Sequence, residues 1–155
     1  MAHSLAQVYL HSVFSTKYRQ NLIIPEIEIS LFAYMGGIIK DIGGMPIQIN
    51  GMPDHIHILS TLPRTITIAK YIEEIKRGSS KWIKTQGSEF INFAWQVGYG
   101  AFSYGRSQLS QVIEYICRQE EHHRKRTFRE EYEELLNRFD VGYNSEYLFE
   151  WIEDI

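Results

Sequence analysis

Cysteine is almost missing from this chain. Only Cys117 carries a thiol among 155 residues, so no internal disulfide can form and nothing asks for an oxidising compartment. No run of about 18 apolar residues exists, which removes a membrane-spanning helix. The start, Met-Ala-His-Ser-Leu-Ala-Gln, lacks the basic residues and apolar stretch of a secretory signal, and a cytoplasmic protein is the expectation. Strong positive charge is lacking too. A net charge of −3 argues against indiscriminate coating of nucleic acid. Internal repeats and low-complexity segments are absent as well.

What is present is a globular composition. Hydrophobic residues make up 44% and charged residues 23%, enough in a chain of this length for one domain with a real core. The charge is uneven. Residues 139–155 hold five acids and no base, leaving 16 bases against 14 acids over 1–138. A basic surface can therefore exist locally. The expected organisation is a single domain over 1–138 with an acidic, aromatic tail over 139–155.

Residues 6–15 alternate, with Leu10 and Phe14 on one face and Tyr9, His11 and Val13 on the other, and predict a first strand. A polar loop carrying Lys17 and Arg19 follows. Pro25 suits a first helical turn, and Ile27, Leu31, Met35, Ile38 and Ile42 recur at helical spacing up to Gly43-Gly44. Ile47 and Ile49 define a second strand. Asn50-Gly51 then signals a turn, with a loop longer than two residues before the third strand. A second helix is expected over about 66–84, with Lys70, Lys76, Arg77 and Lys81 on its polar face and a costly Gly78 inside it that would allow close approach of another backbone. The aromatic stretch Phe90 to Tyr99 predicts a fourth strand. From Ser107 the pattern is helical through 138, with a basic cluster that includes Arg118, Arg124, Lys125 and Arg126.

The order β-α-β-β-α-β plus a helix is the split βαβ, ferredoxin-like and RRM-like arrangement of an α+β protein. It has an antiparallel sheet, two helices on one face, and an additional C-terminal helix. At its centre lies Met52-Pro53-Asp54-His55-Ile56-His57-Ile58-Leu59. Residues two apart on a strand share a face, so His55 and His57 project together, away from the two helices. Two imidazoles on a rigid strand make half of a divalent-metal site. On the last helix, Tyr115 and Gln119 are neighbours at i and i+4. Two His and a Gln leave positions open on a cation such as Mg²⁺ or Mn²⁺, and no thiolate stands near the pair to suggest structural zinc. A phosphodiester oxygen can fill such a position, and a tyrosine oxygen can attack the phosphorus.

Several segments together resemble a known family, the single-tyrosine HUH transposases of small bacterial insertion sequences and their domesticated relatives. They are Val13-Phe14-Ser15-Thr16-Lys17-Tyr18-Arg19, Pro53-Asp54-His55-Ile56-His57-Ile58-Leu59, Trp95 through Ser103, and Tyr115-Ile116-Cys117-Arg118-Gln119-Glu120-Glu121-His122-His123. The resemblance implies that Tyr115 is the nucleophile and that His55, His57 and Gln119 hold the metal. It implies cleavage and rejoining of single-stranded DNA through a 5′-phosphotyrosine, recognition of hairpins at the element ends, and a homodimer whose tyrosine helix completes the partner's site. The candidate DNA contacts are Lys17, Arg19, Lys70, Lys76, Arg77, Lys81, Arg118, Arg124, Lys125 and Arg126. Two other classes fit parts of the pattern: a non-catalytic RRM-like nucleic-acid-binding module, and a metal-dependent phosphoesterase with a water nucleophile.

Overall fold

The computed structural model describes residues 3–146 and Leu148; the end of the acidic tail, including Glu150, Glu153 and Asp154, lies outside the described residues. Four strands form one antiparallel sheet: β1 (Tyr9–Ser15), β2 (Pro46–Met52), β3 (His55–Thr61) and β4 (Gly100–Tyr104), in the order β2-β3-β1-β4. The helices are α1 (Pro25–Asp41), α2 (Ile68–Lys84), α3 (Leu109–Cys117), α4 (Gln119–His123) and α5 (Phe128–Arg138). This is the expected ferredoxin-like α+β arrangement, with three further helices instead of one.

Alternation along the strands assigns each sheet face. Leu10 and Phe14 of β1 and Ile56 and Ile58 of β3 point into a core closed by Leu31, Met35 and Ile39 of α1 and Tyr71, Ile72 and Ile75 of α2. Proline at the start of α1 supplies a fixed φ where no amide partner is needed. At α2, Thr67 accepts a hydrogen bond from the Lys70 amide at 3.1 Å and caps the helix. Gly78 proves to accommodate a side chain, not another backbone: a β-carbon there would lie 2.7 Å from Ile38 Cδ1 of α1. On the opposite face, Val13, Phe102 and Leu59 meet Val112 and Ile116 of α3 and Phe128, Tyr132, Leu135 and Leu136 of α5. His11, His55 and His57 stand on that second face, buried beneath α3 to α5.

Three local expectations are corrected. The β2–β3 connection is a two-residue turn at Pro53-Asp54, because Met52 pairs with His55; Asn50 and Gly51 lie inside β2. Asn50 has another use, donating from Nδ2 to the Ile116 carbonyl at 2.8 Å. Phe90 to Tyr99 is not a strand. Phe90, Phe93 and Trp95 turn into the first core, Trp95 standing edge-on to both Phe14 and Phe93 at 4.9 Å, and the backbone makes only an isolated bridge from Trp95 to Thr16. Burial of aromatic side chains, which β-propensity also reflects, produced the false signal. The fourth strand begins instead at Gly100, where a β-carbon would strike the Tyr132 hydroxyl at 2.9 Å. Finally, the helix expected over 107–138 is broken twice. Arg118 leaves helical geometry with φ −96° and ψ 23°, and the chain turns again before Thr127 caps α5.

Candidate active site

Four segments converge on the face that carries the histidines. From β3 come His55 and His57, both fully buried; α3 brings Tyr115, α4 brings Gln119, and α5 brings Glu131, also fully buried. The four residues predicted from sequence therefore come together within one chain. His55 Nε2 lies 3.3 Å from Gln119 Oε1 and 3.6 Å from Glu131 Oε1, and His57 Nε2 lies 3.0 Å from the same carboxylate oxygen. Gln119 Nε2 donates to Glu131 Oε2 at 3.2 Å, and the Tyr115 hydroxyl donates to it as well. His123 Nε2 reaches Gln119 Oε1 at 3.2 Å and Glu131 Oε1 at 3.3 Å.

The outer hydrogen bonds orient the two imidazoles. His55 Nδ1 is 2.7 Å from Asp54 Oδ1. An ionised carboxylate only accepts, so Nδ1 carries the proton and the Nε2 lone pair faces Gln119 and Glu131. Arg19 holds the other oxygen of Asp54 at 3.4 Å from a backbone stretch in which both Tyr18 and Arg19 are left-handed, with φ of 58° and 55°. His57 Nδ1 is 2.8 Å from His11 Nε2 on the neighbouring strand. Where His57 donates there, its Nε2 lone pair faces Glu131; where it accepts from His11, its Nε2 donates to Glu131 at 3.0 Å.

These donors fit a small divalent ion. Two imidazole nitrogens, an amide oxygen and a carboxylate oxygen, with no thiolate, suit a hard or borderline cation. An octahedral ion with bonds of about 2.1 Å sets neighbouring ligand atoms about 3.0 Å apart, close to the separations found. A cluster of lone pairs facing one another at such distances calls for a positive charge between them. His55 and His57 each have a second hydrogen-bond partner, Asp54 and His11, of the kind that metal-binding histidines have.

Electrostatics follow from burial and from these contacts. Burial pushes the His55 pKa down, and the Asp54 hydrogen bond only partly restores it. His11 is lowered well below the ordinary histidine value by burial and by the neighbouring His57. Burial alone would raise the Glu131 carboxyl, but hydrogen bonds from His123 and His57 outweigh it and hold the group far below the carboxylate range. Tyr115 is shifted strongly upward by burial and by Glu131. Its hydroxyl keeps its proton until something in contact accepts it.

The candidate DNA contacts divide into two groups. Arg19, Arg124, Lys125 and Arg126 line a cleft of about 560 Å³ together with Asp54 and His123, at the edge of the site. Arg126 pairs with Glu134 and also stands 3.5 Å from the Tyr115 hydroxyl. Arg118 pairs with Glu114, and Lys17 lies over the Tyr18 ring. Lys70, Lys76, Arg77 and Lys81 belong to α2, across the sheet from the histidines. Lys70 and Arg77 pair with Glu74. Lys76 is half-buried, donates to the Gln96 and Gly98 carbonyls, and has its pKa lowered to about 8 by burial.

Comparison with known proteins gives this arrangement a context. The family model described as "Transposase IS200 like" matches residues 4–119. The chain belongs to the IS200-like transposase family. Two solved structures share its fold. A candidate transposase from Deinococcus radiodurans R1 superposes with a TM-score of 0.60 at 18% identity, covering 77% of this chain and 95% of the other. A REP-associated tyrosine transposase bound to a REP hairpin superposes with a TM-score of 0.52 at 16% identity, covering 75% of this chain and 70% of the other. No curated protein sequence matches.

Sequence reasoning missed His11, His123 and Glu131 in this transposase. His11 had a signal, since it alternates onto the same sheet face as Val13, next to His57. Glu131 had one as well: a lone carboxylate on the apolar stripe of Phe128, Tyr132 and Leu135. Both Glu131 and His123 lie beyond the stretch matched by the family.

Proposed function

We propose that this transposase cleaves and rejoins single-stranded DNA at the ends of an insertion element, with Tyr115 as nucleophile. A divalent ion, Mg²⁺ or Mn²⁺, would be held by His55, His57 and Gln119 together with Glu131. The observation that carries this reading is the meeting of the Tyr115 hydroxyl, Gln119, Glu131 and two oriented imidazoles at one buried point. When bound, the ion supplies charge withdrawal from the scissile phosphodiester.

The chain's own residues account for the remaining steps. Arg19 and Arg124 to Arg126 give the cleft its positive potential, suited to a phosphate backbone. Tyr115 holds its proton tightly, and Glu131 Oε2 is the acceptor already in contact with it. As the Tyr115 oxygen bonds to phosphorus, its proton passes to Glu131. The bond from phosphorus to the 3′ oxygen breaks, and that oxygen takes up a proton. The products are a 5′-phosphotyrosine and a free 3′ hydroxyl. The ester link conserves the bond, so attack by another 3′ hydroxyl rejoins strands. The hairpin in the REP-associated relative supports hairpin-bearing single strands as substrate. Family membership supports a homodimer as the working form.

The test is incubation with single strands from the flanks of its own gene, with Mn²⁺, followed by a denaturing gel. Wild-type protein should form a covalent adduct, while Tyr115→Phe should bind the same DNA and form none. An adduct with Tyr115→Phe would remove Tyr115 as nucleophile. Cleavage by wild type without any adduct would favour the phosphoesterase reading, and binding without cleavage the RRM-like module.

A further inference from the structure

Tyr115 borders a second cleft, of about 460 Å³, between α3 and α5. None of the other residues lining it belongs to the proposed metal-ligand set. Tyr104 and Phe139 stand edge-to-face in its wall, with ring centroids 5.3 Å apart. Gln108, Gln111 and Arg138 are exposed at its sides. Gln108 Oε1 accepts from the Gly105 amide at 3.0 Å, leaving its Nε2 as a donor. The Gln111 carboxamide makes no hydrogen bond among the described residues and offers both a donor and an acceptor.

This chemistry matches a nucleobase. A base has two π-faces that pack on aromatic rings, and an edge on which donors and acceptors stand side by side, as they do on a carboxamide. Its volume is suited to a single nucleotide and not to a helix or duplex. Arg138 adds a cation for the attached backbone. Because Tyr115 forms part of the wall, a base seated here belongs to a nucleotide beside the phosphorus that Tyr115 attacks.

We propose that the cleft between α3 and α5 is a base-recognition subsite, which reads one nucleotide flanking the scissile phosphate and so selects the bond that is cut. The proposal rests on Tyr115 being the nucleophile, and its test separates the two. Single strands randomised on both sides of the cleavage point are incubated with protein and Mn²⁺, and the covalent products are sequenced. Wild type should prefer one base at one flanking position. In Gln111→Ala that preference should fall on the order of tenfold, with preferences at other positions retained. An unchanged preference in Gln111→Ala overturns the subsite.

A second measurement needs no chemistry. Tyr115→Phe protein is titrated with single strands carrying 2-aminopurine at each position in turn, with and without Gln111→Ala. A fluorescence change at one position that the second substitution abolishes supports the subsite, even if wild type forms no adduct and the nucleophile reading fails. No change at any position overturns it.

Discussion

At His55 the tautomer is set from outside the site. Asp54 accepts a hydrogen bond from Nδ1–H at 2.7 Å, Arg19 steadies Asp54, and the lone pair on Nε2 is left facing Gln119 and Glu131. Without the carboxylate, nothing would distinguish the two nitrogens, and a fraction of the molecules would present a proton where a ligand is needed. Asp54→Ala should therefore lower divalent-metal affinity about 10- to 100-fold, as loss of such supporting partners typically does. Calorimetric titration with Mn²⁺ measures this, and unchanged affinity would reduce Asp54 to a turn residue. In the sequence Asp54 was legible only as turn punctuation, although it sits inside the motif that located the histidines. Strand periodicity put His55 and His57 on one face, whereas Tyr115 and Gln119 were singled out by the resemblance, since the helix expected to carry both is broken between them at Arg118. The apolar stripe of α5 marked Glu131 as an inward carboxylate, but its partners were not legible because its place depends on how α5 returns across the sheet. That path is set by the break at Arg118 and the cap at Thr127, not by any local period.

Among the elements, those whose apolar residues face one core were readable, and those serving two purposes were not. The stripe of α1 and the alternation of β1 and β3 each point one way and gave their own positions. The segment 90–99 carries strand-like residues whose aromatic rings pack into the core without a ladder. The tyrosine helix raises the question of subunit exchange. The resemblance implies that α3 completes the partner's site, yet here α3 is docked on its own sheet. Val112 and Ile116 pack on Leu59, and Asn50 holds the Ile116 carbonyl at 2.8 Å. Exchange would have to break these contacts and remake them on the partner. A partner chain offers the same contacts to an exchanged helix, and mixing His55→Ala with Tyr115→Phe subunits decides between the two arrangements. Sites in cis would each carry one lesion, and the mixture should stay inactive. Recovery of cleavage after verified subunit exchange would establish the trans arrangement.

Taken whole, the molecule places three buried histidines, one buried glutamate and one buried glutamine between a sheet and the helices α3 to α5. Buried polar groups of this kind weaken a fold unless they are satisfied, and facing lone pairs are satisfied best by a cation. The proposed ligands come from β3, α4 and α5, so an ion would tie together parts of the chain 74 residues apart between His57 and Glu131. A ligand bound only by the folded state stabilises it by about 2.7 kcal/mol at a concentration 100 times its Kd. For a chain of this length each kcal/mol moves the melting midpoint by roughly 2–4 °C. Saturating Mn²⁺ should accordingly raise the Tm of the wild-type protein by about 5–11 °C, and chelation should reverse the rise. His57→Ala removes one ligand and should abolish most of the shift. Tyr115→Phe leaves every ligand in place and should keep it. Calorimetric scans of the three proteins with and without Mn²⁺ decide the matter. An equal shift in wild type and His57→Ala would mean that the ion binds elsewhere, and that the buried cluster is held together by protons alone.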